Sequence, residues 1–544
     1  MGLNCLSKQL ILLFLPLAIA TNLGWDINPF YGETYMRYNS MQPSHDKKGS
    51  NGTSWTSSIL RSDQISEWEP ISWDIVPGER NKFQFNVNST VSLSSTYEIL
   101  IFLSGNICSQ PANVTGQSLR VYYSFDESMV DNLSIAEAAD FSLGYMEALA
   151  IRPYEVESNS TETYSTLYLL VELVDTASGK SLPASQGSAE PWSYRISISQ
   201  NDLAFQYDAK TWIDVVDTDH NSALLTTGNM STFSPNHGIA DIDLSLYDLL
   251  LYSSDHIDQF NNLSRSICAI ANGPILASSL NTVTHFENST LSSTELQITK
   301  SITTRGGQIK EQFHITGLNS STTYLAYLTK KVSNVAKNTT DTGGVIFERV
   351  IFKTMENNSC SLIFGLEFCN GVAYSVPTSS KTDANDKILM AGMYDDIAKS
   401  LYFNFSLALE LIPCHSDADS IYSPLRRCED CASSYKNWLC AVSIPRCTTD
   451  ESDYYVFRKS SDNRNDLIND SIEPTSDYYE ILPCINMCYA MVRDCPSEFN
   501  FACPNKSKYP NLLYSSYREY IESAVIPCNF VGNMRELSDP LVVR

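Results

Sequence analysis

Basic residues are scarce in this sequence: 37 Lys and Arg stand against 62 Asp and Glu, a formal net charge of −25. A balance this acidic excludes nucleic acid or an anionic bilayer surface as the main partner. Cations are drawn only weakly, because solvated surface charge is screened within about 8 Å at physiological ionic strength. Charged residues make up only 18% of the chain, while Tyr, Phe, Ser and Thr abound. That composition favours β-structure over long surface helices.

Long apolar runs are missing beyond the amino terminus. The best candidates are Tyr97–Leu103, Leu167–Val174 and Leu401–Pro413. The first two have strand length, and the third carries the sequon Asn404 and Glu410, which hydrocarbon disfavours. The carboxyl end, Leu541-Val542-Val543-Arg544, is too short for a lipid-anchor signal. The expectation is a chain that reaches a membrane through a partner.

Signatures of chemistry are missing too. The seven histidines, His45, His220, His237, His256, His285, His314 and His415, lie singly and form no H-E-x-x-H pair. There is no G-x-S-x-G elbow and no G-x-x-x-x-G-K-[ST] loop. Asp214, Asp217, Asp219, Asp241 and Asp243 offer oxygen atoms of the kind calcium takes, but no EF-hand glycine and terminal Glu accompany them. We read them, and Asp395-Asp396, as solvated carboxylates in turns. Cys428-Glu429-Asp430-Cys431 has the spacing of a redox or zinc pair, yet no βαβ pattern flanks it. A structural disulfide is the reading there. A distant Ser-His-Asp triad, or two carboxylates of a carbohydrate-active enzyme brought together only by folding, is the remaining enzymatic alternative. The sequence thus reads as having no catalytic centre, no metal and no cofactor.

What is present begins with an address. Lys8 precedes the apolar run Leu10–Leu17, and Ala18-Ile19-Ala20 offers a small-x-small cleavage site. Together they form a secretory signal peptide over 1–20, with retention as an anchor the alternative. Cleavage removes Cys5 and leaves an even set of cysteines: Cys108, Cys268, Cys360, Cys369, Cys414, Cys428, Cys431, Cys440, Cys447, Cys484, Cys488, Cys495, Cys503 and Cys528. An even set suits an oxidising compartment. Sequons run along the whole mature chain, at Asn51, Asn88, Asn113, Asn132, Asn159, Asn229, Asn262, Asn288, Asn319, Asn338, Asn357, Asn404, Asn469 and Asn505. Each would carry an N-linked glycan on solvated surface, outside the cell.

The length of 544 residues suggests about three or four units. Residues 21–60 show no periodicity and read as a loose lead-in. From Ser72 the pattern is strand-like: Phe83, Phe85 and Val87 alternate with Gln84 and Asn86, giving one buried and one wet face. Glu98–Leu103, Leu119–Tyr123, Thr166–Val174 and Tyr194–Ile198 continue the series, predicting an antiparallel β-sandwich over 61–204. A second sandwich is expected over 205–358. There Phe313–Leu318 and then Ser321–Tyr327 resemble the end of a fibronectin type III sandwich, with a Gly-Leu corner and a Tyr whose hydroxyl meets upstream backbone. Val345–Thr354 would supply the closing strand.

Residues 359–544 differ in kind. Ten cysteines fall between Cys414 and Cys528. Pro483 suits a first helical turn, and Cys484, Cys488 and Cys495 then share a face. Disulfides let such a unit fold around a small core. Asp450–Asp477 reads as a polar surface loop. Cys360 and Cys369 are close enough to close a small loop, and Cys108 and Cys268 would bridge the two sandwiches if all fourteen pair. Connectivity among the ten stays open, with roughly a thousand possibilities.

The order Pro483-Cys484-Ile485-Asn486-Met487-Cys488, Cys495-Pro496, Cys503-Pro504 resembles the second half of a frizzled-type cysteine-rich domain. In that fold the run lies on a helix and pairs with cysteines of an earlier half, here Cys414, Cys428, Cys431, Cys440 and Cys447. The whole arrangement of leader, sequon-rich middle and cysteine block is similar to the fungal stretch-activated calcium-channel component, the Mid family. The patterns together predict a mixed, mainly β chain of two antiparallel β-sandwiches followed by a disulfide-rich, mainly helical, frizzled-like domain. The resemblance implies an extracellular regulatory subunit at the plasma membrane, reached through the endoplasmic reticulum. Such a subunit would bind extracellular loops of a large four-repeat pore-forming calcium-channel subunit and promote calcium influx under stress, mating or stretch. A competing reading makes the chain itself the stretch-activated cation channel.

Overall fold

The computed structural model describes residues 60–88, 99–112, 114–152, 164–184, 190–230, 244–260, 262–280, 296–332, 343–383, 386–413, 423, 425–521 and 525–532. The leader, Cys414, Asp241, Asp243 and the sequons Asn51, Asn113, Asn159, Asn288 and Asn338 lie outside the described residues. Those described are mainly β, with six sheets and six α-helices.

The first unit is built from β1 (Leu60–Ile65), β2 (Ile71–Ile75), β3 (Arg80–Asn86), β4 (Ile99–Ser109), β5 (Gln117–Ser124), β6 (Glu137–Asp140), β7 (Tyr145–Arg152), β8 (Thr166–Asp175) and β9 (Trp192–Ser199). They form a five-stranded sheet, β1-β3-β8-β5-β6, and a four-stranded sheet, β2-β9-β4-β7. Every pair is antiparallel except β1–β3. Alternation decides which side chains go inward. Phe83, Phe85, Val121 and Leu169 of one sheet share a core with Ile101, Leu103, Ile196 and Ile198 of the other.

The second unit repeats the plan with β10 (Phe205–Asp208), β11 (Ile213–Thr218), β12 (Ser222–Thr227), β13 (Tyr247–Ser253), β14 (Ala277–Ser278), β15 (Gln297–Arg305), β16 (Gln308–Thr316), β17 (Thr323–Lys331), β18 (Gly344–Phe347) and β19 (Val350–Lys353). One sheet runs β10-β18-β17-β13-β14, with β19 also on β17, and the other runs β11-β12-β16-β15. Between β16 and β17 the chain turns at Gly317, whose φ of 82° suits a residue without Cβ. The Tyr324 hydroxyl then accepts from the Asn319 N–H at 2.9 Å. This is the tyrosine contact expected at that corner. The closing segment is two short strands, β18 and β19, each paired with β17.

From residue 360 onward strands and helices mix. β20 (Cys360–Phe364) and β21 (Ala373–Pro377) form a hairpin, and β22 (Arg446–Thr448), β23 (Val456–Arg458) and β24 (Tyr478–Ile481) form a small sheet. Helices span Lys387–Glu410, Cys428–Ser443, Ile485–Asp494 and Pro510–Ser516. The supposed surface loop Asp450–Asp477 is not one. It supplies β23, and its Ile468 and Ile472 are buried in the core of this unit. Two isoleucines inside a polar stretch are enough to draw it inward. Pro483 precedes the helix Ile485–Asp494 instead of opening its first turn, because its carbonyl and neighbours pair with Arg518 and Asn529.

Candidate functional site: the cystine-bonded C-terminal unit and its junction

Five disulfides between described residues organise the region from 360 onward: Cys360–Cys447, Cys369–Cys440, Cys431–Cys495, Cys484–Cys528 and Cys488–Cys503. Cys428 is also disulfide-bonded. The small loop expected from Cys360 to Cys369 does not form. Hairpin register sets Cys360 opposite Pro377, whereas Cys369 lies in the loop beyond β20 and faces the helix Cys428–Ser443. Of the cysteines in the frizzled-like run, Cys495 reaches the earlier half at Cys431, while Cys484 and Cys488 pair onward with Cys528 and Cys503. Cys431–Cys495 thereby fastens the helix Cys428–Ser443 to the end of the helix Ile485–Asp494.

The helix Lys387–Glu410 lies against this framework through an aromatic cluster. Phe405 stacks on Tyr435 with ring centroids 3.6 Å apart, and Tyr435, Phe501 and Phe499 continue the stack. Trp438 Nε1 donates to the Tyr517 hydroxyl at 2.9 Å. Asp395, on the same helix, is not a solvated turn residue. It is buried and accepts from the Phe368 and Cys369 N–H groups, each at 2.7 Å. The outer side of the helix is mixed: Ile388 is 88% exposed and Phe403 60%, among exposed Asp396, Lys399, Asn404 and Glu410.

The second and third units meet across a buried charge cluster that the sequence did not reveal. Contrary to the expectation of a solvated turn carboxylate, Asp219 is fully buried. Its Oδ1 accepts from the Asn221 and Ser222 N–H groups at 2.9 and 2.7 Å. Its Oδ2 accepts from the Leu362 N–H at 2.8 Å and from Lys387 Nζ, which opens the long helix. Asp217 departs from the same expectation: it pairs with Arg446 at 3.0 Å and accepts from the Ser375 N–H at 3.1 Å. Burial pushes the Asp217 carboxyl up, with Arg446 partly offsetting it. His314 rests edge-on against Phe364 beside this cluster, and burial pushes its imidazole down to about 4. Apolar cover comes from Leu224, Leu362 and Ala373. Asp214 does keep to solvent, 3.9 Å from Lys310. No local signal marks Asp217 and Asp219, because both partners lie far along the chain.

A second junction joins the first two units. Cys108 on β4 is bonded to Cys268 in the helix Ile267–Ala271. Ser266 Oγ donates to the Ile107 carbonyl at 2.8 Å, and the Ile267 N–H donates to Asn106 Oδ1 at 3.1 Å.

Of the described sequon asparagines, Asn88, Asn132, Asn262, Asn319, Asn357, Asn404 and Asn505 are exposed, and Asn229 and Asn469 are half-buried. Among the described residues no group of His, Cys, Asp or Glu is arranged to hold a metal ion. A shallow pocket with room for about one water lies among Val442, Pro445, Asn463, Arg464, Tyr478 and Glu480. No helix among the described residues is long and apolar enough to cross a membrane.

These features define a multi-unit, disulfide-bonded, mainly β protein whose units are locked together by buried ion pairs and a cystine. The family model described as "Stretch-activated Ca2+-permeable channel component", Mid1, matches residues 100–534. The chain belongs to that family, the one its cysteine block resembles. It is 50% identical over 485 residues to the stretch-activated cation channel MID1 of Saccharomyces cerevisiae, covering 87% of this chain and 88% of that protein. It is 30% identical over 499 residues to the stretch-activated cation channel yam8 of Schizosaccharomyces pombe, covering 88% and 89%. A 198-residue stretch, 30% of this chain and 31% of the relative, is 24% identical to a MID1 of Cryptococcus neoformans.

Proposed function

We propose that this chain is the extracellular regulatory subunit of a plasma-membrane calcium channel, exported through the endoplasmic reticulum and N-glycosylated. In this reading the two paired-sheet units are β-sandwiches forming a rigid body. The C-terminal unit is a frizzled-like domain that docks on extracellular loops of a large four-repeat pore subunit. It performs no catalysis and needs no cofactor. The observation that carries the reading is the pairing of family membership with a body in which no described helix is long and apolar enough to cross a membrane. Such a body influences ion flow by contact, and only through unequal affinity for the open and closed states of its partner.

Detergent extraction followed by affinity purification is expected to recover the pore subunit with this chain. Recovery of the chain alone, at a stoichiometric yield, would sink the reading. A second reading, in which the chain itself conducts, draws on the name "stretch-activated cation channel" borne by its relatives. Reconstitution into lipid vesicles without any other protein separates the two. Tension-gated currents from the chain alone favour the second and dismiss the first.

A further inference from the structure

Three sequons share one local geometry. At Asn132, Oδ1 accepts from the Ser134 N–H at 3.2 Å and from the Ser134 hydroxyl at 2.6 Å. At Asn357 the corresponding bonds from Ser359 are 2.9 and 2.6 Å. At Asn505 those from Ser507 are 2.7 and 2.6 Å. All three asparagines are exposed. Two other sequons are built differently. Asn404 lies inside the helix Lys387–Glu410, and the hydroxyl of its Ser406 donates to the Phe403 carbonyl at 2.8 Å. Asn469 is half-buried in the π-helical turn Ile468–Ile472. Its Oδ1 accepts from the Asn463 N–H and Nδ2 at 3.2 and 2.7 Å, and Asn463 is itself held by the Tyr478 hydroxyl at 2.6 Å.

We infer that Asn132, Asn357 and Asn505 are the preferred N-glycan attachment sites, and that Asn404 and Asn469 are poor ones. This rests on the exported reading above. The chemistry follows from the amide. Its nitrogen lone pair is delocalised into the carbonyl, so Nδ2 is a weak nucleophile. With Oδ1 bound by the serine two residues on, the carbonyl edge is occupied within the turn and Nδ2 is presented to solvent. Transfer from an oligosaccharyl pyrophosphate lipid then forms a bond from Nδ2 to the anomeric carbon. The bond from that carbon to the pyrophosphate oxygen breaks, its electron pair leaves on the pyrophosphate, and one Nδ2 proton passes to a base of the transferring enzyme. The turn uses only three consecutive residues, so it forms in a nascent chain before tertiary packing. At Asn404 and Asn469 the local sequence favours helical turns over that three-residue turn, as the helix Lys387–Glu410 and the π-helical turn Ile468–Ile472 record.

The test uses the full chain expressed in a eukaryotic secretory host, deglycosylated enzymatically in ¹⁸O-water and mapped by peptide mass spectrometry. Asn132, Asn357 and Asn505 are expected to carry the label in most molecules, several-fold above Asn404 and Asn469. Equal occupancy at Asn404 or Asn469, with glycans present elsewhere, overturns the turn inference alone. Label at no sequon overturns both the inference and the exported reading beneath it.

Discussion

Asp219 shows how much one carboxylate decides. Burial alone pushes its carboxyl up, but the Lys387 charge and hydrogen bonds from Lys387, Leu362 and Asn221 outweigh burial and hold it below its usual range. A depressed folded pKa gives stability that is present above the unfolded value, about pH 4, and lost as pH falls through the folded one. Asp217 runs the other way. Its raised pKa means that the folded state binds the proton more readily, so its share of stability grows as pH falls toward the unfolded value. Thermal unfolding followed against pH is therefore expected to lose stability at this junction below about pH 4, and Asp219→Asn is expected to flatten that acid limb. An unchanged limb would show that Asp219 does not set it. Lys387→Met leaves a buried carboxylate without its cation and is expected to cost about 3 kcal/mol, read from the urea midpoint. Adding Asp219→Asn should recover part of the loss. A shift under about 0.5 kcal/mol would mean that solvent already screens the pair. None of this is legible along the chain, since Lys387 lies 168 positions from Asp219 and a short run of aspartates in a turn ordinarily faces water.

Strands and corners were far more legible than clusters. Phe83 and Phe85 announce a two-faced strand because the period of side-chain direction is local, and the Gly317 to Tyr324 corner needs only eight consecutive residues. Cystine partners are a different matter. Cys360 lies nine residues from Cys369 in sequence, but hairpin register sends it to Cys447. The helix Lys387–Glu410 combines both cases, because its apolar content was visible and the assignment of its two faces was not. Phe405, 6% exposed, fills the aromatic cluster, while Phe403 is 60% exposed. Phe405→Ala is expected to cost about 3–5 kcal/mol in denaturant unfolding. Phe403→Ser is expected to stay within about 0.5 kcal/mol and, under the proposed function, to weaken recovery of the pore subunit. Equal stability losses for the two variants would contradict the assignment of inner and outer faces.

At the scale of the whole molecule, the features that matter are the joins between units that each have their own core. The first two units are joined by Cys108–Cys268, across 160 positions of sequence, and by a shared cluster in which Tyr145 of the first unit packs with Phe205, Ile267 and Ile270. The second and third are joined by Asp217–Arg446 and Asp219–Lys387. Force or a binding event at one end therefore passes through two discrete junctions of unlike chemistry. The cystine constrains the unfolded chain most strongly because its loop is long, by roughly 5 kcal/mol in the chain-entropy view. Each paired-sheet unit keeps its core without it, so the change Cys108→Ser with Cys268→Ser should leave both folded while loosening the join. Calorimetry of that double variant is expected to show the first unit melting as a separate, earlier transition. Lys387→Met should instead weaken the join of the third unit to the second, where Asp217–Arg446 remains, and leave the first join intact. If the cystine variant melts in the same single step as the parent, the shared apolar cluster suffices and the disulfide does not hold these units together.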